Sequence, residues 1–221
     1  HILAYLPTSD ILRSSAVSKN WYSLVPQAIT EINVLNSPNI IDNAVVLSFG
    51  RLTRLQRLDL GGCTLDDELR ILCQLQNLTH LNLGNNYMDD LSYIAHLTRL
   101  HCLDLTHNLI ADFSVLAALT NMTRLVLQYS EKLVDISPVV ALTSLKELNL
   151  NFCTNIARSG IIALTKLRQL ESLSIQGCMV VSEDYTSHKF YSLRHLDIAS
   201  CGFEDSNALT KLTALTSLNL S

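Results

Sequence analysis

Three stretches decide the fold: LQRLDLGGC (55–63), LTHLNLGNN (78–86) and LHCLDLTHN (100–108). Laid over one another they share the pattern LxxLxLxx(N/C). MTRLVLQYS (122–130), LKELNLNFC (145–153), LESLSIQGC (170–178) and LRHLDIASC (193–201) continue it, LTSLNLS (215–221) opens a further copy, and a degenerate ITEINVLNS (29–37) precedes them all. Copies start at 29, 55, 78, 100, 122, 145, 170, 193 and 215, which sets them 22 to 26 residues apart. A period in this range marks an array of small units, each packed only on its neighbours.

The spacing within a copy explains why the array holds together. In LxL the apolar positions recur every second residue, so Leu58 and Leu60, and likewise Leu103 and Leu105, point to one face of a short strand. Stacked strands make a parallel sheet, and the leucines beneath it merge into a core that no single copy could bury alone. The closing Asn or Cys begins the turn away from the strand. There Asn86 and Asn108 are expected to hydrogen-bond backbone groups of the neighbouring coil, with Cys63, Cys153, Cys178 and Cys201 as small, semi-apolar substitutes. A disulfide or zinc site among these thiols is disfavoured, because successive rungs repeat one geometry without converging. Of the return segments, NYMDDLSYIAHL (86–97) and NLIADFSVLAAL (108–119) suggest brief convex turns or short helices. CTNIARSGIIALTKLRQL (153–170) is longer, and Ile161, Leu164 and Leu167 at helical spacing predict a helix. Asp90, Asp112 and Asp135 precede apolar runs and read as cap or turn residues.

The pattern is identified as the leucine-rich repeat. That resemblance implies an α/β solenoid over residues 27–221, with a curved parallel sheet on the concave side and helices or turns on the convex side. It comprises about eight full repeats and a truncated last one.

Composition narrows the function. The chain has 221 residues and a formal charge of −4, with 16 Lys+Arg against 20 Asp+Glu and no cationic cluster, which disfavours nucleic acid and anionic membranes as partners. No apolar run approaches the ~20 residues a membrane helix needs. HILAYL at the start is short for a signal peptide and lacks its basic flank. The six cysteines include no CxxC and read as free thiols of a reducing compartment, cytoplasmic or nuclear. The chain begins at His1 and stops at LNLS inside a repeat, so both ends look cut.

Residues 2–25, ILAYLPTSDILRSSAVSKNWYSLV, do not fit the repeat and hold the one tryptophan, Trp21. Within them ILAYLP (2–7) reads as the end of a helix, SDIL (9–12) as the start of a second, and Val17 to Trp21 forms V-x-x-x-W around Lys19. These elements resemble the F-box, the short all-α module that docks substrate receptors onto the Skp-type adaptor of cullin–RING ubiquitin ligases. The resemblance implies a partial F-box over residues 1–26, with partners in the adaptor and, through it, the cullin. Leu3, Leu6, Pro7, Ile11, Leu12, Val17 and Trp21 match positions that build the module or face the adaptor. The Leu-Pro-acidic opening of the family's first helix is missing, which implies weak adaptor binding by this stretch. An alternative for residues 1–25 is a plain helical cap, with Trp21 packed on the first rung near Ile29 and Ile32.

A target protein is expected on the concave face. The alternate column Asn33, Asp59, Asn82, Asp104, Val126, Asn149, Ser174, Asp197 and Asn219 reads mostly as solvation. More informative are Arg124, Val126, Gln128 and Tyr129, with Asn149, Asn151 and Phe152 one rung away. Aromatics with arginine are common anchors of protein interfaces. Equally, Tyr129 and Phe152 could simply stack to stabilise the turn. His80, His101, Cys102 and His107 lie on adjacent rungs, but exposed side chains on a flat sheet rarely close a tetrahedral metal site. With no GxSxG, HExxH or glycine-rich phosphate loop, no enzymatic activity and no cofactor are expected. The reading is a protein-binding substrate receptor of an SCF-type ligase, a monomer apart from that complex. The alternative is a ligase-independent scaffold or regulatory subunit, including a bacterial effector that borrows an F-box.

Overall fold

The computed structural model describes residues 29–33, 50, 52–65, 67–178, 190–201, 209 and 212–221. The adaptor-facing candidates Leu3, Leu6, Pro7, Ile11, Leu12, Val17 and Trp21 lie outside the described residues.

Nine strands form one parallel sheet in chain order. They are β1 (Glu31–Asn33), β2 (Arg57–Asp59), β3 (His80–Asn82), β4 (Cys102–Asp104), β5 (Arg124–Val126), β6 (Glu147–Asn149), β7 (Ser172–Ser174), β8 (His195–Asp197) and β9 (Ser217–Asn219). Their register is in phase. Ile32 pairs with Leu58, then Leu81, Leu103, Leu125, Leu148, Leu173, Leu196 and Leu218 in turn. From β1 to β8 that central residue is buried while its two neighbours face outward, the period-two pattern expected of LxL. In β9 Leu218 and the following Leu220 are exposed.

Under the sheet lies a continuous aliphatic core. Leu55, Leu60, Leu78, Leu83, Leu100 and Leu105 from the strand side have no exposed surface, and Leu72, Ile94, Leu116 and Val139 from the convex side close it below. The convex segments of the short repeats are 3-10 turns, Ser92–Ile94 and Ser114–Ala118, and a one-turn α-helix forms at Ser137–Val140. Over 153–170 the helix is shorter than its spacing suggests: α-helical at Arg158–Ala163, then 3-10 at Leu164–Lys166. Ile161, Leu164 and Leu167 are nevertheless buried together. Gly160 lets this helix approach the previous repeat, since a Cβ there would stand 2.6 Å from Ile136 Cγ2.

Asp90, Asp112 and Asp135 open these returns. Each carboxylate accepts the backbone N–H two residues on, from Ser92, Ser114 and Ser137, at 2.8 Å. The Ser114 and Ser137 bonds hold Asp112 and Asp135 below the usual carboxylate range.

The ninth repeat position carries the bonds between coils. Asn108 Nδ2 donates to the carbonyls of Leu83, Leu105 and Thr106, and its Oδ1 accepts the Met88 N–H. Asn86 repeats this one rung earlier, reaching Leu60 O and accepting the Cys63 N–H. Where the column changes to cysteine, the thiol takes over one of these bonds. Cys153, Cys178 and Cys201 donate to Leu127 O, Leu150 O and Ile175 O at 3.0, 3.1 and 3.0 Å. Burial pushes the Cys153 thiol up to about 12 and Cys178 up to about 11, so both stay protonated donors. Ser130 occupies the same column with a shorter side chain, and its buried hydroxyl has no hydrogen-bond partner among the described residues.

Candidate functional site

The outward residues of the strands line a groove of about 430 Å³ across β1 to β5, with Arg57, His80, Cys102 and Arg124 in one row and Asp59, Asn82 and Asp104 in the next. Two of the sequence-derived candidates, Arg124 and Val126, form one wall of it. Arg124 pairs with Glu147 at 3.5 Å, as Arg57 does with Glu31 at 3.8 Å. Both pairs are exposed, so each adds little stability and remains available to exchange partners.

The Asp/Asn column is more than solvated surface. Asp59, Asn82, Asp104, Asn149 and Asp197 each accept, through Oδ1, the backbone N–H two residues later at 2.8 to 3.1 Å. This is the Asx-turn bond, and it shapes the chain as it leaves each strand. Asn149 is thereby committed to Asn151 N–H. Asn151 in turn accepts from Ser174 Oγ and Gln176 N at 2.7 and 2.8 Å, which ties one rung to the next. Of the polar candidates Gln128 is half-buried, and its carbonyl accepts the His107 N–H at 2.8 Å.

Tyr129 and Phe152 occupy the eighth position. Its N–H still pairs with the adjacent rung, after which the chain turns through the left-handed region. Gly62, Asn85, His107, Tyr129, Phe152, Gly177 and Ser200 all have φ between 53° and 67° there. Glycine and asparagine adopt that conformation readily, whereas an ordinary side chain costs about 1–2 kcal/mol. Tyr129 and Phe152 offset part of this by stacking, ring centres 4.7 Å apart and planes 5° from parallel. The Phe152 ring then covers Gly177, whose absent Cβ would lie 2.6 Å from Phe152 Cδ1.

The stack continues in the other direction. His107 meets Tyr129 edge-on at 6.0 Å, and Tyr87 meets His107 at 6.0 Å. Four rings from four consecutive repeats therefore form one ladder along the strand exits, with Tyr87 61% and Tyr129 41% exposed. Tyr87 is absent from the sequence-derived site because it lies two positions later in its repeat than the other three. The signal in the sequence was an aromatic or imidazole near the strand exit in successive copies, here without strict register.

Two other candidate histidines are engaged singly. His80 Nδ1 lies 2.9 Å from Thr79 Oγ1, and His101 Nδ1 lies 2.7 Å from Arg99 O. Burial, and then Arg57, lower the pKa of His80. Among the described residues no group of three or more His, Cys, Asp or Glu side chains is placed to hold a metal ion. No helix among them is long and apolar enough to cross a membrane.

Known proteins share both parts of this chain. The F-box domain profile matches residues 1–27, a profile of two leucine-rich repeats matches 76–118, and a single-repeat profile matches 141–164. A Trypanosoma equiperdum protein named for adenylate cyclase regulation is 31% identical over 90 residues, covering 39% of this chain and 14% of that protein. The matched stretch thus spans about one seventh of the relative's length. Among solved structures, an internalin (inlF) from Listeria monocytogenes superposes with a TM-score of 0.61 at 23% identity, over 97% of this chain and 74% of the other. Internalin C2 from the same organism gives 0.55 at 17%, over 97% and 92%. The TLR13–ssRNA13 complex gives 0.60 at 21%, over 81% and 30%. At these identities the solved structures establish the shared fold, a leucine-rich-repeat solenoid. The F-box and leucine-rich-repeat matches together support a protein-interaction module.

Proposed function

We propose that this F-box/leucine-rich-repeat protein is the substrate-recognition subunit of an SCF-type ubiquitin ligase. Residues 1–27 would dock a Skp-type adaptor and, through it, the cullin. The groove over β1 to β5 and the ring-lined strand exits would hold the target. The observation that carries this reading is the F-box match placed directly ahead of a nine-stranded repeat sheet. The mechanism is positional. A rigid sheet holds the target so that its lysines meet a ubiquitin donor supplied by other subunits at high effective concentration. No bond is made or broken by this chain.

Arg124, Val126, Gln128, Tyr129, Asn149, Asn151 and Phe152 remain the proposed target contacts, with His107 and Tyr87 added along the ladder. The test is co-purification with a Skp-type adaptor, using a version that restores the Leu-Pro-acidic opening of the first helix. Capture that is lost on Trp21→Ala, while the repeat domain melts as before, supports the docking role. A folded chain that fails to capture the adaptor favours the second reading, a ligase-independent regulatory subunit. The stretch shared with the protein named for adenylate cyclase regulation speaks for that reading.

A further inference from the structure

The exit flank over β3 to β5 is acidic. Where the chain leaves β3, β4 and β5, segments 84–92, 106–114 and 128–137 expose Asp89, Asp90, Asp112, Glu131 and Asp135 against a single Lys132. Where it approaches β4, β6, β7 and β8, Arg99, Lys146, Arg168 and Arg194 are exposed, with Lys146 paired to Glu171 at 3.6 Å. The ring ladder lies on the acidic side, at the strand exits of these same segments. Exposed Leu109 and Val134 from two of them add apolar surface.

We infer that this exit flank recognises a basic, arginine-bearing extended segment of a partner protein. Guanidinium groups would lie over the exposed Tyr87 ring and against the outer edge of Tyr129, whose face is stacked on Phe152, their aliphatic stems against Leu109 and Val134, with the carboxylates beside them neutralising the charge. Each element has a physical warrant. Exposed aromatic faces attract cations through the ring quadrupole, and arginine stems cover apolar surface while the head stays wet. The chain already makes this contact internally, with the Arg168 guanidinium 5.0 Å from the centre of the Tyr191 ring. Asp112 and Asp135 are held below the ordinary carboxylate range by the Ser114 and Ser137 bonds, and so keep their charge in mildly acidic solution. The inference deepens the receptor reading, since it names the class of segment the target would present. Binding itself needs no adaptor.

The experiment uses the purified full chain and a short fluorescein-labelled peptide of alternating arginine and serine, followed by anisotropy at low and moderate salt. A peptide of alternating glutamate and serine is the control. The ring variant is Tyr87→Asn with Tyr129→Asn. Asparagine suits the left-handed backbone, as Asn85 shows at φ 58°, so the fold is retained and a melting curve verifies it. Expected is saturable binding of the arginine peptide, weakened about tenfold or more in the ring variant and unchanged in Arg99→Ser on the opposite flank. Equal binding by the ring variant, or equal binding of the glutamate peptide, overturns the inference. So does sedimentation showing that the acidic flank is occupied by a second copy. Adaptor capture is scored separately, so the docking role and the peptide specificity can fail independently.

Discussion

Replacing Asn108 with alanine tests how the repeats are joined. The side chain is 3% exposed, so water cannot take over its bonds. Its Nδ2 donates to Leu83 O at 2.9 Å, Leu105 O at 3.0 Å and Thr106 O at 3.3 Å, and its Oδ1 accepts the Met88 N–H at 2.9 Å. Leu83 O keeps a second donor in Asn86 Nδ2 at 2.9 Å. The loss therefore falls mainly on Leu105 O and the Met88 N–H, at about 1–3 kcal/mol for each buried group left without a partner, or about 2–6 kcal/mol together. Asn108→Cys should recover about 1 kcal/mol of this, because the thiols of Cys153, Cys178 and Cys201 supply one inter-coil bond from the same position. Urea denaturation followed by circular dichroism measures all three proteins. The expected order of stability is wild type, then Cys, then Ala. An alanine variant within about 0.5 kcal/mol of wild type would refute the view that this column joins the coils.

Three further outcomes follow from the same geometry. Ser130→Cys should stabilise the chain by about 1 kcal/mol, since it replaces an unpartnered buried hydroxyl with the donor used by the neighbouring rungs; a lowered melting temperature contradicts this. Gly177→Ala should cost about 2–4 kcal/mol, from a left-handed backbone at φ 67° and a Cβ 2.6 Å from Phe152 Cδ1, and appreciably less when Phe152 is also alanine. A double-mutant cycle that shows no coupling would mean the ring does not seat on that glycine. Asp112 and Asp135 have folded-state pKa values below their unfolded ones, so they contribute stability above the ordinary carboxylate pKa of about 4 and lose it as pH falls through the folded values. Asp112→Asn with Asp135→Asn should flatten the fall in stability below about pH 4, and an unaltered acid limb counts against those turns.

Much of the fold was legible because each repeat encodes its own geometry. Leu58 and Leu60 announce a half-buried strand, Asn108 and Cys153 announce the turn that follows, and Asp112 two residues before Ser114 announces the return. All of these depend on neighbours within a few residues. The helix over 153–170 was legible in its buried face, Ile161 with Leu164 and Leu167, but not in its length. Packing of Gly160 against Ile136 and a 3-10 ending set its limits. Of the proposed site, Tyr129 with Phe152 could be seen as a pair one period apart. Whether they stack could not, because ring orientation follows from the sign of φ at the eighth position and from the empty space over Gly177.

The amino-acid sequence by itself determined the array, the register and the core, since a period-two pattern repeated every 22 to 26 residues leaves one way to bury its leucines. The tertiary structure decided what the array presents. It set Tyr87 beside His107 although their repeats place them two positions out of step. It also engaged the Asp/Asn column in backbone bonds at the strand exits and paired Arg124 with Glu147. The reason is distance along the chain. Surface neighbours in a solenoid come from different repeats, about 5 Å apart in space but some twenty residues apart in sequence, so they exist only once the coils are stacked.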